Sequence, residues 1–297
     1  MGQLEKVTKG KQNRPHLILV YGPDGIGKST FAANAENPIF LGKEDGTSNL
    51  DVTRLPEPHS YSDIVSAINE LIKEKHDYKT LAIDSLDWIE PLIWAHVCKA
   101  NGWQNIEVPG YGKGYALANE VWRELIAMLA DLRQARGMNI ILIGHCQVKP
   151  FNDPSQPASY DRYQLKLNEK AASLWREFVD FVGFANYEVF TKTDKNQKTR
   201  AFGDGRRMLY TERRPSFDAK NRFGLPFELA FSFEEYERAL RGSKTDELSV
   251  LLAEIKDLTL LVQNEETRNK VTAAVTAADK NMEKLKEIHN RLKVISQ

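Results

Sequence analysis

Cysteine is scarce in this chain: Cys98 and Cys146 are the only two among 297 residues. Two such thiols offer neither a disulfide framework nor the spacing of a zinc site, which fits a reducing compartment. An excess of charge of one sign is lacking as well. The 41 Lys and Arg equal the 41 Asp and Glu, so no global field draws the molecule to nucleic acid or to a membrane, and any such preference must come from local clusters. No apolar run approaches the ~20 residues of a membrane-spanning helix. Met1 to Arg14 is polar and basic without an apolar stretch, so no secretory signal is read there, and residues 1–14 are expected to form a mobile or docking arm. Gly2 does not complete a myristoylation pattern, because position 6 is Lys. Internal repeats and low-complexity tracts are absent. These absences exclude disulfide scaffolds and membrane spans, and lead to the expectation of a cytoplasmic protein with no membrane partner.

What the chain does have begins at His16. The apolar run Leu17-Ile18-Leu19-Val20-Tyr21 leads into Gly22-Pro23-Asp24-Gly25-Ile26-Gly27-Lys28-Ser29-Thr30, and a helix-compatible segment follows. Gly-x-x-x-x-Gly-Lys-Ser between a strand and a helix is the phosphate-binding loop in its required context. Its glycines let successive backbone N–H groups curl around an anion without Cβ clashes. Lys28 is expected to reach the β- and γ-phosphates of ATP, and the Ser29 hydroxyl to hold Mg²⁺.

Further along, Ile39-Phe40-Leu41-Gly42 reads as a buried strand ending in Lys43-Glu44-Asp45. Ile64, Ile68, Leu71 and Ile72 mark one face of a helix over about 62–75. Tyr78 to Ser85 is a third strand with Asp84 at its end, and 86–99 and 115–136 are expected helices. Asn139 to Gly144 is the fourth strand, ending in His145-Cys146-Gln147. The Pro-, Ser- and Asp-rich stretch 149–162 reads as a long surface loop. A helix over 168–178 and a strand over 181–191 precede a region, 192–222, in which basic residues outnumber acidic ones. A strand at 227–231 and a short helix over 233–240 lead to a linker at 241–243. Strands alternating with helices predict a mostly parallel central sheet flanked by helices, an α/β fold. Beyond the linker, Leu248, Leu251, Leu252, Ile255 and Leu258 mark one amphipathic helix, and Val271 to Leu292 carry a short heptad pattern interrupted by His289, so residues 244–297 are expected to form an α-helical hairpin appended to a 15–240 core.

The acidic residues bear on the type of nucleotide site. Asp84 ends an apolar strand and suits a water-mediated hold on Mg²⁺. In AAA+ machines a catalytic Glu usually follows that Asp directly; here Ser85 does. Glu44 ends the strand after the phosphate-loop helix, and in a parallel sheet neighbouring strand ends line one crevice. Glu44 is therefore the expected base for the attacking water, with Asp45 the competing carboxylate. His145 and Gln147, at the end of the fourth strand, are candidate γ-phosphate sensors.

This layout resembles the RecA/RadA recombinase core, and more narrowly the short phage-encoded RecA-core ATPases that act as single-strand annealing proteins. The likeness is carried by residues 22–30, Glu44, Leu81-Ala82-Ile83-Asp84-Ser85-Leu86, Gly110-Tyr111-Gly112-Lys113-Gly114-Tyr115, His145, Asp180-Phe181-Val182-Gly183, and Lys220-Asn221-Arg222 ahead of Pro226-Phe227. The resemblance implies a P-loop NTPase of RecA-like type over about residues 15–235, in the host cytoplasm if phage-encoded. It implies ATP bound between subunits of a filament or ring, with Lys220 and Arg222 contacting the neighbour's phosphates. It also implies single-stranded DNA held by two segments, for which Trp103, Tyr111, Lys113 and Tyr115, and then Lys149 and Arg162, are the candidates. Aromatics with scattered cations suit base stacking and backbone attraction. The C-terminal helices would recruit a single-strand-binding or replication protein. Departures are the missing large terminal domains of full RecA, which leaves strand exchange without support, and His145-Cys146-Gln147 where RecA has Asn-Gln. Two other readings stand beside this one: a hexameric helicase or helicase loader, and a regulatory ATPase that recruits a protein partner without touching DNA.

Overall fold

The computed structural model describes residues 7, 9, 14–42, 45–193, 199–262, 264–278 and 281–295. Residues 14–237 form one compact unit; residues 238–297, with 1–13, form another. The first is built on strands β1 (Leu17–Gly22), β2 (Pro38–Gly42), β3 (Thr53–Arg54), β4 (Thr80–Asp84), β5 (Asn139–Phe151), β6 (Tyr160–Leu165) and β7 (Phe181–Tyr187). They are joined through helices α1 (Lys28–Ala33), α2 (Tyr61–Lys73), α3 (Leu86–Asn101), α4 (Lys113–Arg136) and α5 (Glu169–Phe178). Strands β8 (Phe190–Thr193) and β9 (Thr199–Phe202) make a separate antiparallel hairpin, and β10 (Arg207–Tyr210), β11 (Lys220–Asn221) and β12 (Glu228–Ala230) return to the main sheet.

The order across that sheet is β12-β10-β7-β1-β5-β4-β2-β3. From β7 to β3 every neighbouring pair is parallel, whereas β10 and β12 are antiparallel. A parallel sheet is covered on both faces, so its central strands are continuous apolar runs, and every residue of β1 is buried. Alternation within β1 sorts its side chains. Leu17, Leu19 and Tyr21 join the larger core with Ile64, Ile68, Ile93, Trp122 and Trp175 from the helices α2 to α5. Trp122 and Trp175 meet edge to face with centroids 5.5 Å apart. On α1, Phe31 stacks on Phe231 at 5.2 Å and meets Tyr236 at 5.8 Å.

Local signals explain the helix boundaries. Ser60 and Asp63 form a reciprocal capping box at the start of α2, with Asp63 N–H donating to Ser60 Oγ at 3.3 Å and Ser60 N–H to Asp63 Oδ2 at 2.8 Å. Asn168 caps α5, its side chain accepting from Lys170 N–H. Two readings of the sequence change. The stretch 149–162 is a loop only over residues 152–159: β5 runs through to Phe151 and pairs antiparallel with β6 from Tyr160, Lys149 opposite Arg162. Nor does a linker separate the last helix at 241–243, because α6 (Phe233–Leu261) is continuous through it, its single Gly242 being a cost of about 1 kcal/mol that a helix tolerates.

The C-terminal unit is helical, made by the latter part of α6 with α7 (Glu265–Ala277) and α8 (Met282–Ile295). The heptad run expected as one helix is two, parted around Ala278 to Asn281. Leu251, Ile255, Val262, Ala278, Leu285 and Leu292 form its core. His289 is buried there, with Nε2 3.0 Å from Glu254 Oε2. No helix among the described residues is long and apolar enough to cross a membrane.

Candidate functional site

Register brings the site together. Gly22 at the end of β1 pairs with His145 on β5, Asp84 at the end of β4 pairs with Ile143, and Gly42 at the end of β2 pairs with Asp84. The ends of β1, β2 and β4 and the middle of β5 thus line one crevice, where α/β sheets bind ligands.

The loop Gly22–Thr30 wraps its start. Lys28 is buried, and its Nζ donates to the carbonyls of Gly22 at 3.2 Å and Pro23 at 2.9 Å. Gly27 sits at φ 106°, in the left-handed region, and a Cβ there would also lie 2.8 Å from Arg207 Nη1. Gly22 is needed for a different reason: a Cβ on it would stand 2.1 Å from the Ala185 carbonyl oxygen of β7. Ser29 Oγ donates to Asp84 Oδ2 at 2.6 Å, across 55 residues of sequence, and Asp84 is 2 % exposed. A hydroxyl and a carboxylate oxygen this close are hard donors of the kind Mg²⁺ takes, beside a loop that would present phosphate oxygens. The residues fit that ion.

His145 is buried between two carboxylates. Its Nδ1 lies 2.9 Å and 3.1 Å from the oxygens of Asp87, in the first turn of α3, and its Nε2 lies 3.3 Å from Asp24 on the loop. Burial alone would raise the Asp87 carboxyl. The His145 ring and backbone N–H, with the Ser85 hydroxyl, outweigh that and hold it below the usual carboxylate range. Gln147 lies farther along β5, its amide 3.5 Å from the Leu165 carbonyl of β6. One helical turn beyond Asp87, buried Glu90 accepts from Asn168 N–H at 2.9 Å and 3.1 Å, and burial pushes its pKa up to about 7. Glu44 lies outside the described residues, as does the side chain of Asp45.

The basic residues divide sharply. Lys220 Nζ donates to the carbonyls of Arg176, Glu177 and Val179, at 2.8 Å, 2.8 Å and 2.7 Å. An ammonium has three donors, and here all three tie off the C-terminal end of α5. Arg222 stays largely exposed, 3.6 Å from Asp180. Arg162, expected on a surface loop, is 3 % exposed. It donates to Asp218 at 2.6 Å and to the Phe217 carbonyl at 3.1 Å, and its guanidinium lies over the Phe151 ring. Asp218 also holds Arg176 and accepts through its carbonyl from the Tyr21 hydroxyl, so Arg162 belongs to a bracing network beneath β1, and not to an exposed DNA-facing surface.

The glycine-aromatic segment is half anchored. Trp103 is partly buried against the core, and Tyr115 packs edge-on to Trp94 while its hydroxyl donates to Glu107. Tyr111 is fully exposed at φ 50°, between Gly110 at 68° and Gly112 at 69°. Lys113 and Lys149 are exposed. Tyr111, Lys113 and Lys149 are thus the candidates left with free surface.

Two residues of the site escaped the sequence reading. Asp87 follows Asp84 by three positions and could have been flagged by that spacing. Arg207 had no local signal: it starts β10, and its Nη1 donates to the Ile26 carbonyl of the loop at 3.3 Å across 181 residues.

The model of an AAA domain family matches residues 14–223. The SPbeta prophage-derived uncharacterized protein YorG of Bacillus subtilis (strain 168) is 24% identical over 149 residues, covering 48% of this chain and 44% of that relative. The chain therefore spans less than half the length of the curated relative it matches. Among solved structures, the RadB recombinase superposes with a TM-score of 0.40 at 14% identity, covering 68% of this chain and 84% of that one.

Proposed function

The chain belongs to the AAA domain family, and from that premise we propose that it is a RecA-like P-loop ATPase that depends on Mg²⁺, binds single-stranded DNA, and acts in phage DNA recombination or single-strand annealing. The observation that carries the nucleotide site is the Ser29 hydroxyl on the Asp84 carboxylate at 2.6 Å, directly after a loop that already holds Lys28 at its centre. Lys28 exchanges its two loop carbonyls for phosphate oxygens when nucleotide enters. Ser29 and, through water, Asp84 hold Mg²⁺, which neutralises charge on the transferring phosphoryl group. Glu44, two positions beyond β2, orients and deprotonates the attacking water, and His145 meets the γ-phosphate.

Assembly completes the site. Arg222, exposed and held only at 3.6 Å by Asp180, is free to reach a neighbouring subunit's phosphates. Lys220 is the weaker partner in that role because its donors are committed within the chain. DNA contact is assigned to Tyr111, which offers a stacking face, with Lys113 and Lys149 as backbone contacts, since stacking contributes about 1–3 kcal/mol per base. The C-terminal helices supply the partner surface, for a single-strand-binding or replication protein.

The test measures ATP hydrolysis with and without single-stranded DNA over a range of salt. Hydrolysis stimulated by DNA, with affinity that falls as salt rises, is expected. Hydrolysis with no DNA binding at low salt would overturn the DNA reading and favour the regulatory ATPase.

A further inference from the structure

The Asp87 carboxylate has no part in the reading above, yet three groups in the crevice bond to it. It is buried in the first turn of α3, three positions after Asp84, and its side chain is 6% exposed. Its Oδ1 accepts from the Ser85 hydroxyl at 2.9 Å and from the His145 backbone N–H at 3.1 Å. Both oxygens face His145 Nδ1, at 3.1 Å and 2.9 Å. An ionised carboxylate only accepts, so Nδ1 carries a proton. The other ring nitrogen, Nε2, lies 3.3 Å from Asp24 Oδ1 on the phosphate loop, and that carboxylate too can only accept. With Nδ1 turned to Asp87, Nε2 faces Asp24 and the mouth of the loop, and the imidazolium form has an N–H on each side.

We propose that Asp87 is a positioning residue that orients the His145 ring and favours its imidazolium form, so that Nε2–H faces the mouth of the phosphate loop and donates there to the terminal phosphate of a nucleoside triphosphate. The proposal rests on the ATPase reading. Asp24 marks the place: its side chain is 91% exposed, so an anionic oxygen arriving from solvent reaches the same position. The backbone sets the distance, because His145 is the register partner of Gly22, the first residue of the loop. Ser85 in turn orients Asp87. A phosphate oxygen, like Asp24, is an acceptor only, and it finds the donor already turned towards it. A diphosphate lacks the terminal group, so the arrangement discriminates between the two nucleotides rather than tightening both.

The experiment compares binding of fluorescent ATP and ADP analogues to the full chain carrying D87N, D87E, H145Q, or D87N with H145Q, alongside thermal melting. D87N is expected to weaken ATP binding by about 10–100-fold, the range of one charge-assisted hydrogen bond, while ADP binding holds. H145Q is expected to match it, the double variant to lose no more than either single one, and D87E to recover part of the ATP preference. A wild-type ATP-to-ADP ratio in D87N, equal losses for both nucleotides, or additive losses in the double variant would overturn the proposal. Should D87N fail to fold, wild-type ratios in both D87E and H145Q would do the same. If the wild-type chain binds neither nucleotide, the ATPase reading falls with it; if it binds both and D87N changes nothing, only the role of Asp87 falls.

Discussion

A lysine that looks like a phosphate ligand in the sequence can be spent on its own chain. Lys220 illustrates this, with its ammonium across three carbonyls at the end of α5. Burial and then the neighbouring Arg222 lower its pKa, and the helix C-terminus compensates by favouring a cation. Lys220→Ala should therefore destabilise the core by about 1–3 kcal/mol, the range for lost hydrogen bonds to a charged donor, and do so in the absence of nucleotide and DNA alike. Thermal melting at several protein concentrations reads this directly: a loss independent of concentration belongs to the cap, whereas a loss only of hydrolysis would return Lys220 to a role between subunits. Glu44 is the opposite case, a residue whose role is argued from chemistry and position in sequence. Glu44→Gln should keep ATP binding and lower turnover by about 100-fold or more, in line with general-base catalysis. Steady turnover in that variant would move the role to Asp45 or elsewhere.

Helix α3 concentrates polar groups on an otherwise apolar element. Its first turns carry Asp87 and Glu90, both buried, with opposite fates. Asp87 is held ionised by His145, whereas Glu90 is raised to about 7 because burial exceeds what two bonds from Asn168 N–H return. A carboxyl whose folded pKa lies above its unfolded value near 4.5 adds stability that is fully present below that unfolded value and is lost as pH rises through about 7. Glu90→Gln keeps an oxygen for Asn168 and does not titrate. It should leave melting unchanged at about pH 4 and raise it at about pH 8, by on the order of 3 kcal/mol at most. An identical pH profile for the two proteins would show that Glu90 ionises in the native state at no cost. The hairpin of β5 and β6 carries a related lesson. Its Pro-, Ser- and Asp-rich composition reads as loop, yet Arg162 on β6 anchors it to Asp218 and the Phe217 carbonyl, with the Phe151 ring of β5 against its guanidinium.

At the scale of the molecule, nucleotide binding and fold stability are linked. A ligand that binds only the folded chain at 100 times its Kd stabilises it by about 2.7 kcal/mol. Mg²⁺ with ATP should raise the melting temperature of wild type by several degrees, and Lys28→Ala should abolish that rise, since its ammonium is the loop's cation for phosphate. A rise that persists in Lys28→Ala would place the nucleotide elsewhere. The helical unit over 238–297 has its own apolar core, with His289 and Glu254 facing each other at its edge.

What the sequence determined on its own is what depends on neighbours in the chain. The phosphate loop is one contiguous motif; the parallel sheet follows from apolar runs alternating with amphipathic ones; the capping box of α2 lies within four residues. What only the tertiary structure decided depends on strand register and on side chains that meet across long separations. Asp87 meets His145 across 58 residues, Lys220 meets Arg176 across 44, Arg162 meets Asp218 across 56, and Arg207 meets the phosphate loop across 181. A long, flexible cation reads the same in sequence whether it faces solvent, a carboxylate or a helix end. Its role is settled by which groups the packed sheet leaves within about 3 Å, because a hydrogen bond vanishes beyond that range.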